Sequence, residues 1–262
     1  MSVLPRVAAA MTAEWPDLIA ELDRWGEAGK VARLWWRDDD AVAATPALDS
    51  LLRLAGDVPL ALAVIPAELD PDLPGFLRPM AQVTVLQHGW RHANHAAPGA
   101  KKSEYPASRA EAAVLAELTG GQHQLAACFG PQALPVLVPP WNRFAAGFVP
   151  LLTKSGIAGL SSMASRAAPA LPAGLAAIDV HIDLTAWKGD RGFIGRAAAL
   201  AGVIGHLRAC RLGSTNPGRA IGILTHHLVM DRATAGFVDR FLATVDRHAA
   251  ARWASAAELL AR

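Results

Sequence analysis

The chain has 262 residues, of which 52% are hydrophobic and 18% charged, and its net charge is +2. So apolar a composition excludes a disordered chain, and cationic residues mixed with anionic ones leave no basic stripe to follow a phosphate backbone, so nucleic acid is not an expected partner. The length is that of one α/β barrel, and we read residues 1–262 as a single domain.

The N-terminus, Met1 to Met11, has neither an early basic region nor a continuous leucine-rich run, and nothing in the chain approaches ~18 uncharged apolar residues. The expectation is a cytoplasmic protein with no membrane span. Residues 1–31 are read as an N-terminal covering helix: Trp15, Leu18, Ile19, Leu22 and Trp25 recur at helical spacing over 13–28, and Gly29 stops the pattern. Short buried-strand patterns follow at 32–36, 59–65, 82–86, 134–138, 157–161, 177–182 and 220–224. Helical patterns at 45–54, 108–118, 196–211 and 234–248 alternate with them, which argues for parallel strands joined by right-handed crossovers. The architecture expected is an α/β distorted seven-stranded (β/α) barrel, with a doubly wound open sheet as the competitor. Cys128 and Cys210 lie in helical patterns and are read as small buried thiols. The stretch 94–106 is a loop in which Lys101, Lys102 and Glu104 either cover the substrate or are merely solvated.

Four polar clusters each follow a strand directly: Arg37-Asp38-Asp39-Asp40, His88-Gly89-Trp90-Arg91-His92, Pro139-Pro140-Trp141-Asn142-Arg143 and Leu224-Thr225-His226-His227. Parallel α/β folds gather their chemistry at such strand ends. Three consecutive carboxylates repel one another and demand a cation nearby; in extended geometry Asp39 points away from Asp38 and Asp40, so one chelate requires a bend. The spacing of His88 and His92 brings both imidazoles to one face if the segment makes a helical turn, and two histidines with one carboxylate suit a divalent metal with open coordination positions. His95 is an outer candidate. His226 is a candidate acid, and its neighbour His227 must point elsewhere. Two prolines fix the backbone before Trp141, which favours substrate contact over a plain turn. His123, His206 and His248 fall in helical patterns and carry no role.

In this order the clusters resemble the five motifs of the polysaccharide deacetylase family, carbohydrate esterase family 4, and the resemblance runs from about Trp35 to His227. Arg37-Asp38-Asp39-Asp40-Ala41 is similar to T-F-D-D-G, which implies Asp39 as base and Asp40 as metal ligand, although Asp38 and Asp39 fit the pair nearly as well. His88 to His92 matches H-[ST]-x-x-H with Gly89 in place of the hydroxyl residue. The third motif, R-x-x-P-Y, is matched only by Pro139-Pro140-Trp141, since no arginine precedes the prolines; Arg37 or Arg143 is left as a replacement. Asp183-Leu-Thr-Ala186-Trp187 resembles D-x-x-D-W without its second acid, and Leu224-Thr225-His226 matches L-x-H, which implies His226 as general acid.

The resemblance implies one divalent ion, zinc by expectation, on Asp40, His88 and His92. Arg37, Trp141, Arg143, Asp183 and Trp187 would serve the substrate or the oxyanion. The reaction implied is hydrolysis of an N-acetyl or O-acetyl group on a carbohydrate or carbohydrate-like substrate, with a small molecule or glycan as partner. The alternatives are a non-catalytic binding protein of the same fold and a hydrolase of small amides.

Overall fold

The computed structural model describes residues 12–164, 171–189, 191–216 and 219–261, so the stretch Met1 to Met11 and part of the 164–174 loop lie outside the described residues. Its strands are β1 (Ala32–Ala41), β2 (Leu60–Val64), β3 (Val83–His88), β4 (Ala133–Val138), β5 (Gly159–Leu160), β6 (Ala176–Ala177), β7 (Ile182–Asp183), β8 (Ile221–Thr225) and β9 (Ala251–Trp253). They alternate with α1 (Trp15–Glu27), α2 (Pro46–Ala55), α3 (Leu73–Leu77), α4 (Glu111–Phe129), α5 (Val149–Lys154), α6 (Arg196–Arg211), α7 (Arg232–Asp246) and α8 (Ala256–Leu260). All strand pairs are parallel, in the order β6-β5-β4-β3-β2-β1-β8-β7, with β9 added beside the start of β1.

The strand expected at 177–182 is divided into β6 and β7, which stand at opposite ends of that order although only residues 178–181 separate them. This link bonds on both flanks: the Ile178 and Val180 amides donate to Leu160 and Ser162, each at 2.9 Å, and the His181 amide donates to Gly222 at 2.7 Å. One extended segment thus joins the two ends of the curled sheet. Seven places run round this distorted barrel, as expected, and β9 is an addition too short to show a period in the sequence.

Side chains alternate across each strand, as the two-residue period requires. Leu34, Trp36, Leu60, Leu62, Val64, Val83, Val85, Ile221 and Ile223 pack outward with α1, α2, α6 and α7. Trp35, Ala61, Ala63, Leu86, Val136, Val138, Ile178, Val180 and Leu224 form a second cluster within the ring, joined by Ala256 and Leu260 of α8. Trp35 dominates that interior and donates its indole N–H to the Asp179 carbonyl at 3.0 Å. Gly222 makes the room: a Cβ there would lie 2.4 Å from the Trp35 indole nitrogen.

Of the 1–31 span expected as a covering helix, residues 1–11 lie outside the described residues, and among the described ones the helix runs over Trp15–Glu27; α1 buries Trp15, Leu18, Leu22 and Trp25, while Ile19 is exposed on its outer face. Cys210 is buried as expected, but Cys128 is exposed. The reason is helical phase: α4 turns Val114, Leu118, Gly121, Leu125 and Phe129 inward, and Cys128 falls off that stripe.

Candidate metal centre and active site

The end of β1 sorts its charged residues by face. Arg37 and Asp39 follow Trp35 at intervals of two and are both buried. Asp38 accepts from the Thr225 hydroxyl and pairs with His227 Nδ1, each at 2.6 Å, so His227 is turned away from the cleft, as the adjacency of two histidines required. At Asp40 the backbone enters the left-handed region (φ 72°), and the β1–β2 register shifts between Asp38 and Ala41. That is the bend three carboxylates needed, and it swings Asp40 toward β3.

His88 ends β3, where its Nδ1 lies 3.0 Å from the Val138 carbonyl. A carbonyl only accepts, so Nδ1 carries the proton and Nε2 is the nitrogen available to a ligand. Nε2 stands 3.1 Å from Asp40 Oδ1. The chain then reverses through Gly89 (φ 61°) and His92 (φ 56°), a left-handed bend in place of the helical turn expected, and His92 Nε2 comes within 3.4 Å of the same oxygen. The three ligand atoms lie within 4.8 Å of one another. Metal–ligand bonds of about 2.0–2.2 Å in a tetrahedral site imply ligand separations of about 3.3 Å, so the donor set fits a zinc-sized ion.

Electrostatics agree with that fit. Burial disfavours charge on Asp40, but the hydrogen bond from His88 and the proximity of His88, His92 and His226 hold its carboxyl well below the usual range. Burial opposes protonation of His88 too, yet the charge of Asp39 and the bond to Asp40 raise it; burial and the neighbouring His88 lower His92.

Asp39 faces Arg37 along two edges. Arg37 Nη2 donates to Asp39 Oδ2 at 3.0 Å, and Nε lies 2.8 Å from Oδ1 as an ion pair whose angle falls short of a hydrogen bond. The same guanidinium donates through Nη1 to the Ser161 hydroxyl at 2.7 Å and through Nη2 to Asn142 Oδ1 at 2.9 Å. Of the two arginines left as candidates, Arg37 is the one that pairs with Asp39. Arg143 does not: its Nη1 donates to the Lys102 carbonyl at 2.8 Å and pins the loop.

Across the cleft, His226 follows β8, with Nδ1 3.4 Å from the Thr185 hydroxyl and 3.8 Å from Asp183 Oδ1. Burial raises the Asp183 pKa against the opposing influence of His226. Trp187 donates its indole N–H to Asp183 at 2.6 Å and sets its ring edge-on to His226, 4.6 Å between centroids. On the metal side the Trp141 ring lies 4.4 Å from that of His92. Asp40, His92, Trp141 and Asn142 are four of the five described non-glycine residues with positive φ, and such strain is retained where surrounding structure enforces a function.

Apart from Arg143, the residues expected at the site lie near one another at or just beyond the carboxyl ends of β1, β3, β4, β7 and β8. His95 and His123 are exposed, and His248 bonds Asp23 at 3.1 Å. His206 packs edge-on against His181, 4.8 Å away. Sequence reasoning missed Ser161 and Asn142 as Arg37 partners, and Glu104, which is fully buried rather than part of a lid.

No family model and no curated protein sequence matches the chain. Solved structures do. A protein described as a polysaccharide deacetylase from Mycobacterium smegmatis superposes with a TM-score of 0.62 at 20% identity, covering 95% of this chain and 92% of that one. The chain has the fold of the polysaccharide deacetylases and family 4 carbohydrate esterases. A family 4 acetyl xylan esterase from Clostridium thermocellum, in complex with a cobalt ion, matches with a TM-score of 0.54 at 11% identity over 87% of this chain and 90% of that one. A peptidoglycan N-acetylglucosamine deacetylase bound to an N-hydroxybenzamide matches with a TM-score of 0.54 at 15% identity over 90% and 94%. No helix among the described residues is long and apolar enough to cross a membrane.

Proposed function

We propose that the protein is a metal-dependent deacetylase that hydrolyses an N-acetyl or O-acetyl group from a carbohydrate or carbohydrate-like substrate. The observation that carries this reading is the convergence of Asp40, His88 and His92 within 4.8 Å beside an arginine-held Asp39. When bound there, a divalent ion, zinc in our reading, supplies Lewis acidity that activates water and polarises an acyl carbonyl.

The side chains account for the proton movements. Asp39, fixed by Arg37, takes a proton from the attacking water as the bond from its oxygen to the acyl carbon forms. In this reading the Trp141 backbone N–H would stabilise the oxygen on which negative charge develops. His226, turned by Thr185 and Asp183 through Nδ1, delivers a proton from Nε2 to the departing nitrogen or oxygen as the acyl bond breaks, giving acetate and a free amine or alcohol. Trp187 and Trp141 form the apolar walls on either side.

The test is acetate release from N-acetylated and O-acetylated sugar oligomers by zinc-loaded protein, with Asp39→Asn as control. Acetate from the parent chain and none from the variant supports the reading. One zinc per chain with undiminished glycan binding and no acetate from any of these substrates assigns the cleft to a binding protein instead.

A further inference from the structure

Glu104 closely follows two exposed lysines, Lys101 and Lys102, in the 94–106 loop, yet it is fully buried. A carboxylate enters a protein interior only where hydrogen bonds replace its water. Here the replacement comes from backbone amides of the turn that carries the second histidine. The Trp90 N–H donates to Oε2 at 3.1 Å, and the Arg91 and Ala93 N–H groups donate to Oε1 at 2.9 and 3.3 Å. Those amides flank His92, whose left-handed backbone leaves no helix or sheet to satisfy them.

The same carboxylate explains Gly89. A Cβ on Gly89 would lie 1.9 Å from Glu104 Oε2 and 2.7 Å from the Pro140 ring, and the residue has φ +61°. The space that a side chain at this position would fill holds the glutamate instead. The loop is anchored in turn: Ser103 N–H donates to Asn94 Oδ1 at 3.0 Å, the Ser103 hydroxyl to the Arg143 carbonyl at 3.4 Å, and Arg143 to Lys102.

We infer that Glu104 is a positioning residue for the metal centre: it fixes the Gly89–Ala93 turn, and with it the His92 imidazole, by taking the three amides of that turn. The inference rests on the metal-dependent reading for its consequence, but not for the hydrogen bonds themselves. Partners outside the ligand set typically contribute ten- to hundredfold in metal affinity.

The experiment measures two quantities on E104A and E104Q at a temperature where both are folded: hydrogen exchange of the Trp90, Arg91 and Ala93 amides in metal-free protein, and zinc affinity by chelator competition. E104A is expected to speed exchange at all three amides and to weaken zinc binding about ten- to hundredfold. E104Q, which keeps one accepting oxygen, is expected to fall between E104A and the parent, and it carries the test alone if E104A does not fold. Parent-like exchange and parent-like zinc affinity in the folded variants overturn the inference. If the parent chain itself binds no zinc, the metal-dependent reading fails, and amide exchange still decides whether Glu104 holds the turn.

Discussion

The two sides of the cleft are built to different tolerances. On the β1–β3 side, Asp40 meets the His88 and His92 nitrogens at 3.1 and 3.4 Å, His88 is locked through Nδ1, and Asp40 and His92 stand in left-handed backbone. On the β7–β8 side, the polar contacts of the His226 ring are longer, 3.4 Å to Thr185 and 3.8 Å to Asp183, and Trp187, whose ring meets it edge-on, is 48% exposed. A ligand set gains affinity from being assembled before its ion arrives, because ordering its donors then costs little on binding. A proton donor needs alignment only when substrate is present, and such contacts tighten in the complex.

Breaking the rigid side should cost most. His88→Ala removes one of the three proposed ligands and the buried link from Asp40 to Val138; zinc affinity should fall by roughly a thousandfold or more, with acetate release lost. Chelator competition and turnover read both. Arg37→Met leaves the Asp39 carboxylate buried without its cation, and loss of one partner of a buried pair costs about 3–5 kcal/mol. Urea unfolding should show that loss even without zinc, which separates Arg37 from the ligands.

The loose side should respond in turnover or substrate binding and not in zinc affinity. His226→Gln is expected to slow turnover about a hundredfold, with zinc affinity within twofold of the parent. An equal fall in zinc affinity would mean that the two sides are not independent. Trp187→Ala, at an exposed wall, should raise KM several-fold and leave stability within ~0.5 kcal/mol.

The contrast also has a pH signature. The pKa of His88 is raised from 6.5, so protons compete for its Nε2 up to pH values above that figure. Zinc affinity should therefore decline as pH falls through and below that raised value, with proton release on binding measurable by calorimetry in buffers of different ionisation enthalpy. An affinity flat from pH 8 to pH 6 would show that His88 is not a ligand.

The rigid side was the more legible in sequence. His88 and His92 announce themselves by spacing, and the aspartates by a charge excess that no buried strand end tolerates unaided. Arg37 was readable only in part: period two places it on the face of Asp39, but the choice between it and Arg143 depends on where the 94–106 loop runs. Glu104 was not legible, since its partners are backbone amides, which every sequence supplies. Parallel pairing followed from strand and helix alternation, which left a doubly wound open sheet as competitor to the barrel; the division into β6 and β7 and the addition of β9 did not follow, because strands of two or three residues leave no periodic pattern. Cys128 was misplaced because an alanine-rich helix hides which face is buried.

The central claim is best tested by anomalous diffraction at the zinc edge from crystals of the zinc-loaded protein. The account predicts one peak per chain, about 2.0–2.2 Å from Asp40 Oδ1, His88 Nε2 and His92 Nε2, with Asp39 and His226 on opposite sides of it. No peak in the cleft, or a peak bound by other residues, would contradict it.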